Sequence, residues 1–185
     1  MQIWQMILIA IGVLIVTGAV AWWIYERNRT RHLRERFGPE YDRRIALSGN
    51  RRRAESELAA SEIRAQKLKT QPLSATDRSR FLEAWRLCQA RFVDDPGGAV
   101  NDAERLLTDI MRTRGYRVDD PYERLTDVCA AYPDHATSYR EANAIAVDHQ
   151  RGGTTTENLR KAFLDYRSLF DDVLGGRDEE LKRAS

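Results

Sequence analysis

Two pairs of adjacent aspartates are the residues of this chain best suited to acid–base or metal chemistry. The pairs, Asp94-Asp95 and Asp119-Asp120, both stand directly before a proline. Proline is favoured at the first position of a helix, and an aspartate before it accepts hydrogen bonds from free backbone N–H groups. Helix capping accounts for both pairs, so we predict no catalytic residue among them.

The three histidines and two cysteines lack the spacing of a metal or redox site. His135 and His149 fall on one helical face but about 21 Å apart along its axis. His32 lies among arginines, and Cys88 and Cys129 fall on apolar stripes that indicate buried thiols. We therefore expect no metal ligand, no cofactor and no small-molecule substrate.

Common enzyme motifs are also missing from the sequence. It contains no glycine-rich nucleotide loop, no HExxH, no Gly-x-Ser-x-Gly, and no Glu-x-x-His pair of the kind that di-metal helical bundles use. The expected protein is not an enzyme, and an enzyme remains the minor alternative.

The element that begins the chain is an apolar segment. Residues 3–25 carry no charge, and at about 1.5 Å per residue they would cross a hydrocarbon core of about 30 Å. Trp4 and the Trp22-Trp23 pair stand near its two ends, as in an aromatic belt. Residues 1–36 are therefore predicted to be a transmembrane anchor with a basic juxtamembrane collar. A cleaved signal peptide ending at Ala19-Val20-Ala21 is the alternative, but no Lys or Arg precedes the apolar run.

A cluster of arginines follows the apolar segment and sets the predicted orientation. Between residues 26 and 54, ten arginines stand against four acids. Basic flanks remain on the cytoplasmic side, which places the N terminus outside the plasma (inner) membrane and the following domain in the cytoplasm. The residues predicted to contact anionic lipid headgroups are Arg27, Arg29, Arg31, Arg34 and Arg36. Nucleic acid is the less favoured partner, because few aromatics are interleaved with Arg51-Arg52-Arg53.

The remainder of the chain has the pattern of an all-α protein. Residues 37–72 are predicted to form a charged helical stalk or linker, which begins after Phe37-Gly38-Pro39 and has a possible break at Ser48-Gly49-Asn50. Residues 73–175 are predicted to form an antiparallel bundle of about five helices, and 176–185 a disordered tail. The predicted N-caps are Ser74, Asp95, Asp120, Asp134 and Thr154, the last in a capping box with Glu157.

Apolar residues at helical spacing predict which faces of these helices are buried. We expect Trp85 and Phe92 to pack against the faces that contain Leu107 and Phe170. The predicted core residues are Phe81, Trp85, Cys88, Phe92, Val100, Ala103, Leu107, Ile110, Tyr122, Leu125, Cys129, Tyr132, His135, Tyr139, Ala142, Ala146, His149, Leu159, Ala162, Phe163, Tyr166, Phe170 and Val173.

Several short motifs resemble a bacterial family of small membrane-anchored proteins that has no established activity. The motifs lie within roughly residues 34 to 174 and are Arg36–Arg43, Trp85–Gln89, Phe92–Pro96, Arg114-Gly115-Tyr116 and Tyr166–Phe170. The resemblance implies an anchor followed by a helical domain in a bacterial protein. It also implies that histidines often occupy the positions of Asn143 and Asp165, and this chain lacks both.

Two kinds of function follow from these patterns. The favoured one is a membrane-tethered cytoplasmic module that binds or scaffolds a protein partner through a face of the bundle. The alternative is an envelope or stress factor whose basic stalk acts on membrane lipid at the anionic headgroups.

Overall fold

The computed structural model describes residues 2–69 and 73–175, and among the first ten residues it describes the side chain of Trp4 alone. This part of the chain is helical and has no strand, which confirms the predicted all-α class. The helices are α1 (Gln2–Phe37), α2 (Pro39–Ser48), α3 (Arg51–Lys69), α4 (Ala75–Arg91), α5 (Pro96–Thr113), α6 (Pro121–Ala131), α7 (Ala136–Gln150) and α8 (Thr156–Val173), with a 3-10 turn at Pro133–His135. The predicted tail at 176–185 lies outside the described residues.

The chain divides into two compact units. The N-terminal unit is Met1–Glu57 and the C-terminal unit is Leu58–Ser185, so the boundary falls inside α3. The division into anchor, stalk and bundle that the sequence suggests stays a prediction.

The membrane-spanning anchor predicted for residues 1–36 needs correction. Among the residues that the structure describes, no helix combines the length and the apolar character that a membrane crossing requires. For this part of the chain, the predicted transmembrane helix is wrong. The inner-membrane location, with an outside N terminus and a cytoplasmic domain, depended on that helix and is wrong with it.

Glycines end the first two helices as the sequence predicts. Gly38 has a φ of 55° between α1 and α2, and Gly49 has a φ of 62° after Ser48. Left-handed backbone favours glycine, because a Cβ would clash there. The predicted break at Ser48-Gly49-Asn50 is confirmed.

A buried glutamate organises the N-terminal unit. Glu55 Oε1 accepts hydrogen bonds from Thr30 Oγ1 at 2.9 Å, Tyr41 OH at 2.7 Å and Arg51 Nε at 2.9 Å. Arg51 Nη2 also donates to Thr30 Oγ1 at 2.8 Å. Burial alone would raise the pKa of the Glu55 carboxyl, but the hydrogen bonds from the three donors outweigh it and lower the pKa. One carboxylate thus connects α1, α2 and α3.

The lowered pKa of Glu55 predicts an acid-sensitive N-terminal unit. A carboxyl with a depressed folded pKa stabilises the fold at any pH above its unfolded pKa of about 4.3. That stability is lost as the pH falls through the lower, folded pKa. We expect the protection factors of residues 30–57, which are corrected for the intrinsic exchange rate at each pH, to fall below about pH 4, and Glu55→Gln to weaken protection at neutral pH and flatten the acid response.

The matched control for this experiment is Glu35→Gln. Glu35 pairs with Arg31 at 2.8 Å on the exposed face of α1, where an ion pair contributes little. An unchanged acid response in Glu55→Gln would show that the buried carboxylate does not couple this unit to pH.

The bundle in the C-terminal unit is built around α8. This helix packs against α5 and α7, and α4 packs against α5. The Trp85 ring stacks on Phe163 at 5.1 Å and on Phe170 at 4.7 Å between centroids, and Phe92 lies 4.8 Å from Phe163. The predicted packing of Trp85 with Phe170 is confirmed. Most of the predicted core is buried, although Phe92, Tyr122, Leu125 and His149 are only partly covered.

Three of the predicted N-caps are confirmed. Ser74 accepts from the backbone N–H of Asp77, Asp95 from that of Gly98, and Asp120 from two N–H groups of α6. These contacts satisfy donors that the first helical turn leaves free.

Two predicted caps are wrong. Asp134 lies inside the 3-10 turn. His135, the residue before α7, has helical backbone angles and its side chain makes no capping hydrogen bond, so α7 has no side-chain N-cap. The α8 cap is Thr155, one residue after the predicted Thr154. Thr155 is extended and accepts from Asn158 N at 3.2 Å, so Glu157 does not complete a capping box.

Candidate functional site: a groove between two helices

The second aspartate of each pair acts as a helix cap in the structure. Asp95 Oδ1 accepts from Gly98 N at 2.8 Å, and its other oxygen pairs with Arg91 at 2.6 Å. Asp120 Oδ1 accepts from Tyr122 N at 2.6 Å, while Asp94 and Asp119 are exposed. No three His, Cys, Asp or Glu residues of the described chain are grouped so as to hold a metal ion.

The histidines and cysteines are also separated in space. His135 is buried and its Nε2 lies 2.7 Å from Asp172 Oδ2, a pairing that sequence spacing does not reveal. His149 lies against Gly97, where a Cβ would come within 2.0 Å of its Nε2. Cys88 and Cys129 are buried and unbridged, as predicted.

A surface groove runs between α4 and α5. Two adjoining cavities of about 370 and 340 Å³ share Ala84, Leu106 and Asp109, so they form one continuous depression. A short turn joins the two helices, which lie antiparallel. The residues that line it recur three or four apart on each helix, and they are Arg80, Phe81, Ala84, Leu87, Cys88 and Arg91 of α4 and Asp102, Arg105, Leu106, Asp109, Arg112 and Thr113 of α5. We call this surface the α4/α5 groove.

The floor of the α4/α5 groove is apolar. Phe81 and Cys88 form its base from the core side, and Leu87 is 65% exposed. Burial raises the pKa of the Cys88 thiol, and the charge of Asp102 raises it further. Cys88 therefore contributes a buried thiol to the apolar floor.

Arginines form both rims of the groove. On the α4 side Arg80 pairs with Asp77 at 3.2 Å, and Arg91 bonds to Asp95 and Asp102. The hydrogen bonds to Asp95 and Asp102 raise the pKa of Arg91.

The α5 rim repeats this arrangement. Arg112 pairs with Asp109 at 2.6 Å, and Arg105 lies 3.8 Å from Asp102. Each end of the groove thus has one arginine from each helix.

The apolar residues that predict the buried faces of α4 and α5 do not reveal this groove. Leu87 and Leu106 lie outside the apolar stripes that face the core. A leucine outside such a stripe is the sequence signal that these helices have apolar residues on their outer side as well. The sequence predicts that α4 and α5 pack together through their core faces, but it does not show that Leu87 and Leu106 line a common groove on the outer side.

The five arginines predicted to contact lipid headgroups are spread over the second half of α1. The Arg27 guanidinium lies 5.2 Å from the centre of the Trp23 ring. Arg31 pairs with Glu35 and Arg34 with Asp42, while Arg29 and Arg36 are half-buried. Their contact with lipid stays a prediction.

A fully buried aspartate, Asp127, is among the polar residues of the C-terminal unit that sequence reasoning missed. Asp127 accepts from Arg117 N at 2.9 Å and from Arg117 Nη2 at 3.1 Å, and it also bonds to Arg64. Arg117 in turn contacts Ser61 at 3.1 Å and Glu123 at 2.6 Å. The network joins α6 through Asp127 to Arg117, in the segment before α6, and to α3 through Arg64 and Ser61. Its role is structural.

Comparison with known proteins gives no family for this chain. No family model matches it, and neither a curated protein nor a solved structure is significantly similar to it. The resemblance to small bacterial membrane-anchored proteins stays a prediction.

Proposed function

We propose that the C-terminal unit is a protein-interaction module that binds an amphipathic α-helix of a partner protein in the α4/α5 groove. The observation that carries this proposal is the continuous apolar floor between two antiparallel helices, with Leu87 exposed along it. An exposed leucine alone is ordinary, whereas one inside a groove with apolar neighbours is typical of a binding surface.

The dimensions of the groove suit a helix. Arg80 and Arg91 are eleven residues apart on α4, which is about 16 Å or three helical turns. A helix laid in a groove uses apolar residues at i, i+3 or i+4, and i+7 as anchors. Three turns present three or four such anchors, enough to cover Ala84, Leu87 and Leu106.

The groove is also preformed. Trp85 and Leu107 hold α4 and α5 from the core side, and both are buried. Little backbone ordering is then required when a partner binds, which removes part of the entropic cost of association.

The test is selection of helical peptides on the full-length protein. We expect a yeast-displayed library of 18-residue amphipathic helices to yield binders with a Kd of about 1–100 µM, a range of weak interfaces. Leu87→Glu places a charge on the apolar floor and is expected to reduce their affinity at least tenfold.

The matched control is Leu164→Glu, the same substitution at a 51% exposed leucine of α8 outside the groove. This variant is expected to retain full binding. A library without binders, or binders that tolerate Leu87→Glu, would contradict the proposal.

A further inference from the structure

The exposed apolar side chains of α1 lead into a short stretch of aromatic and basic residues. Trp22, Trp23 and Tyr25 are 68%, 59% and 63% exposed, and Arg27 and Arg29 follow them. We propose that this stretch, residues 22–29, binds a lipid surface with anionic headgroups. We call it the aromatic–basic junction. It belongs to the N-terminal unit and is a different surface from the α4/α5 groove.

The apolar residues before the junction are exposed on every side of the helix. Val13 to Val16 are four consecutive aliphatic residues, each between 58% and 72% exposed. Consecutive helical residues project about 100° apart, so these four surround the helix axis. A protein groove covers one face of a helix, whereas lipid acyl chains cover all faces of a segment that enters them. A helix can enter the lipid from one side and bind there without crossing it.

The aromatic residues suit the boundary between acyl chains and headgroups. Tryptophan and tyrosine each have an apolar ring with one polar group, and they concentrate at membrane interfaces for that reason. Trp22, Trp23 and Tyr25 stand directly before Glu26, the first charged residue of the chain. The junction therefore lies at the headgroup level, with aliphatic residues on one side and arginines on the other.

The N-terminal unit keeps an excess of positive charge after all its carboxylates are counted. Residues 1–57 contain ten arginines and six acidic residues, an excess of four charges. Among the described residues, no carboxylate pairs with Arg27 or Arg29. The Arg27 guanidinium lies 5.2 Å from the centre of the Trp23 ring, so the two side chains reach the headgroups together. One basic residue near an anionic lipid surface strengthens binding about fivefold.

Vesicle sedimentation with the full-length protein tests this proposal. One set of vesicles is phosphatidylcholine alone, and the other contains about 30% phosphatidylglycerol, an anionic lipid. We expect at least tenfold tighter binding to the anionic vesicles at 100 mM NaCl. At 500 mM NaCl the difference is expected to shrink, because salt screens exposed charges.

Substitutions at the junction separate its two contributions. Trp22→Ser combined with Trp23→Ser is expected to weaken binding to both kinds of vesicle, because both rings leave the interface. Arg27→Glu is expected to weaken binding at least tenfold to the anionic vesicles alone. The matched controls are Val93→Ser, at an 82% exposed valine outside α1, and Arg160→Glu, at a 65% exposed arginine of α8. Both controls are expected to bind vesicles as the unchanged protein does.

Each contrary outcome overturns the proposal and leaves the groove untouched. Failure to bind either vesicle, or binding that the tryptophan and arginine variants retain, shows that the junction is not a lipid contact. An oligomer that Trp22→Ser and Trp23→Ser dissociate, without vesicle binding, shows that a second copy covers this surface. Arg27-dependent binding of a single-stranded oligonucleotide, without vesicle binding, shows that the arginines serve nucleic acid.

Discussion

Trp85→Ala is expected to lower the free energy of unfolding of the C-terminal unit by about 3–5 kcal/mol. The Trp85 ring is 5% exposed and stacks between Phe163 and Phe170, so truncation opens a large cavity between α4 and α8. A domain of this size has a total stability of about 5–15 kcal/mol. The variant is therefore expected to be at the edge of unfolding.

Hydrogen exchange in increasing denaturant measures this change in the full-length protein, because it reports residues 75–173 separately from the N-terminal unit. Ser74→Ala serves as a control on the same helix, since loss of an exposed cap costs only about 1 kcal/mol. Equal protection in Trp85→Ala and the unchanged protein would show that Trp85 does not support the core.

Asp127→Ala is the second substitution with a large expected effect. Asp127 is fully buried and accepts hydrogen bonds from Arg64 and Arg117, whose side chains are 36% and 41% exposed. Alanine removes these charged hydrogen bonds, and a hydrogen bond to a charged group contributes about 1.5–3 kcal/mol. Protection of α6 and of the adjoining part of α3 is expected to fall together, because both depend on the same carboxylate.

The comparison for Asp127 is Asp109→Ala. Asp109 also pairs with an arginine, Arg112 at 2.6 Å, but both side chains are exposed and the pair contributes about 0–1 kcal/mol. If both alanine variants unfold at the same denaturant concentration, the buried network does not stabilise the bundle.

The residues that stabilise the bundle and those that form the proposed binding surface occupy opposite sides of α4. Trp85 faces α8, while Arg80, Leu87 and Arg91 face the groove. A substitution at Leu87 can therefore change binding with little effect on stability, which makes the binding and stability experiments independent.

Much of the fold was predictable because local rules determine it. The periodicity of Leu159, Phe163, Tyr166 and Phe170 identifies the buried face of α8, since a helix repeats every 3.6 residues. Caps at Ser74, Asp95 and Asp120 were found because they depend on a few neighbouring residues. The cap of α8 was assigned to Thr154 instead of Thr155 because consecutive threonines are equally suitable caps, and local sequence does not distinguish them.

The apolar N-terminal segment is the place where a local sequence pattern led to a wrong prediction, a transmembrane anchor at residues 1–36. Its composition indicated a membrane anchor, but a membrane crossing depends on the whole helix. Among the described residues, no helix reaches the length and apolar character that a membrane crossing requires. The location inferred from the arginine collar failed because it rested on that anchor.

The sequence by itself determined the helical class, the order of the helices in the bundle, most of their ends and the buried faces of α4 to α8. Only the tertiary structure decided that the outer leucines and arginines of α4 and α5 form one groove, and that Asp127 meets Arg64 and Arg117. The physical reason is the range of the interactions. Helix propensity and capping act within about four residues, whereas a groove or a buried ion pair joins side chains that are 10 to 63 residues apart in the chain.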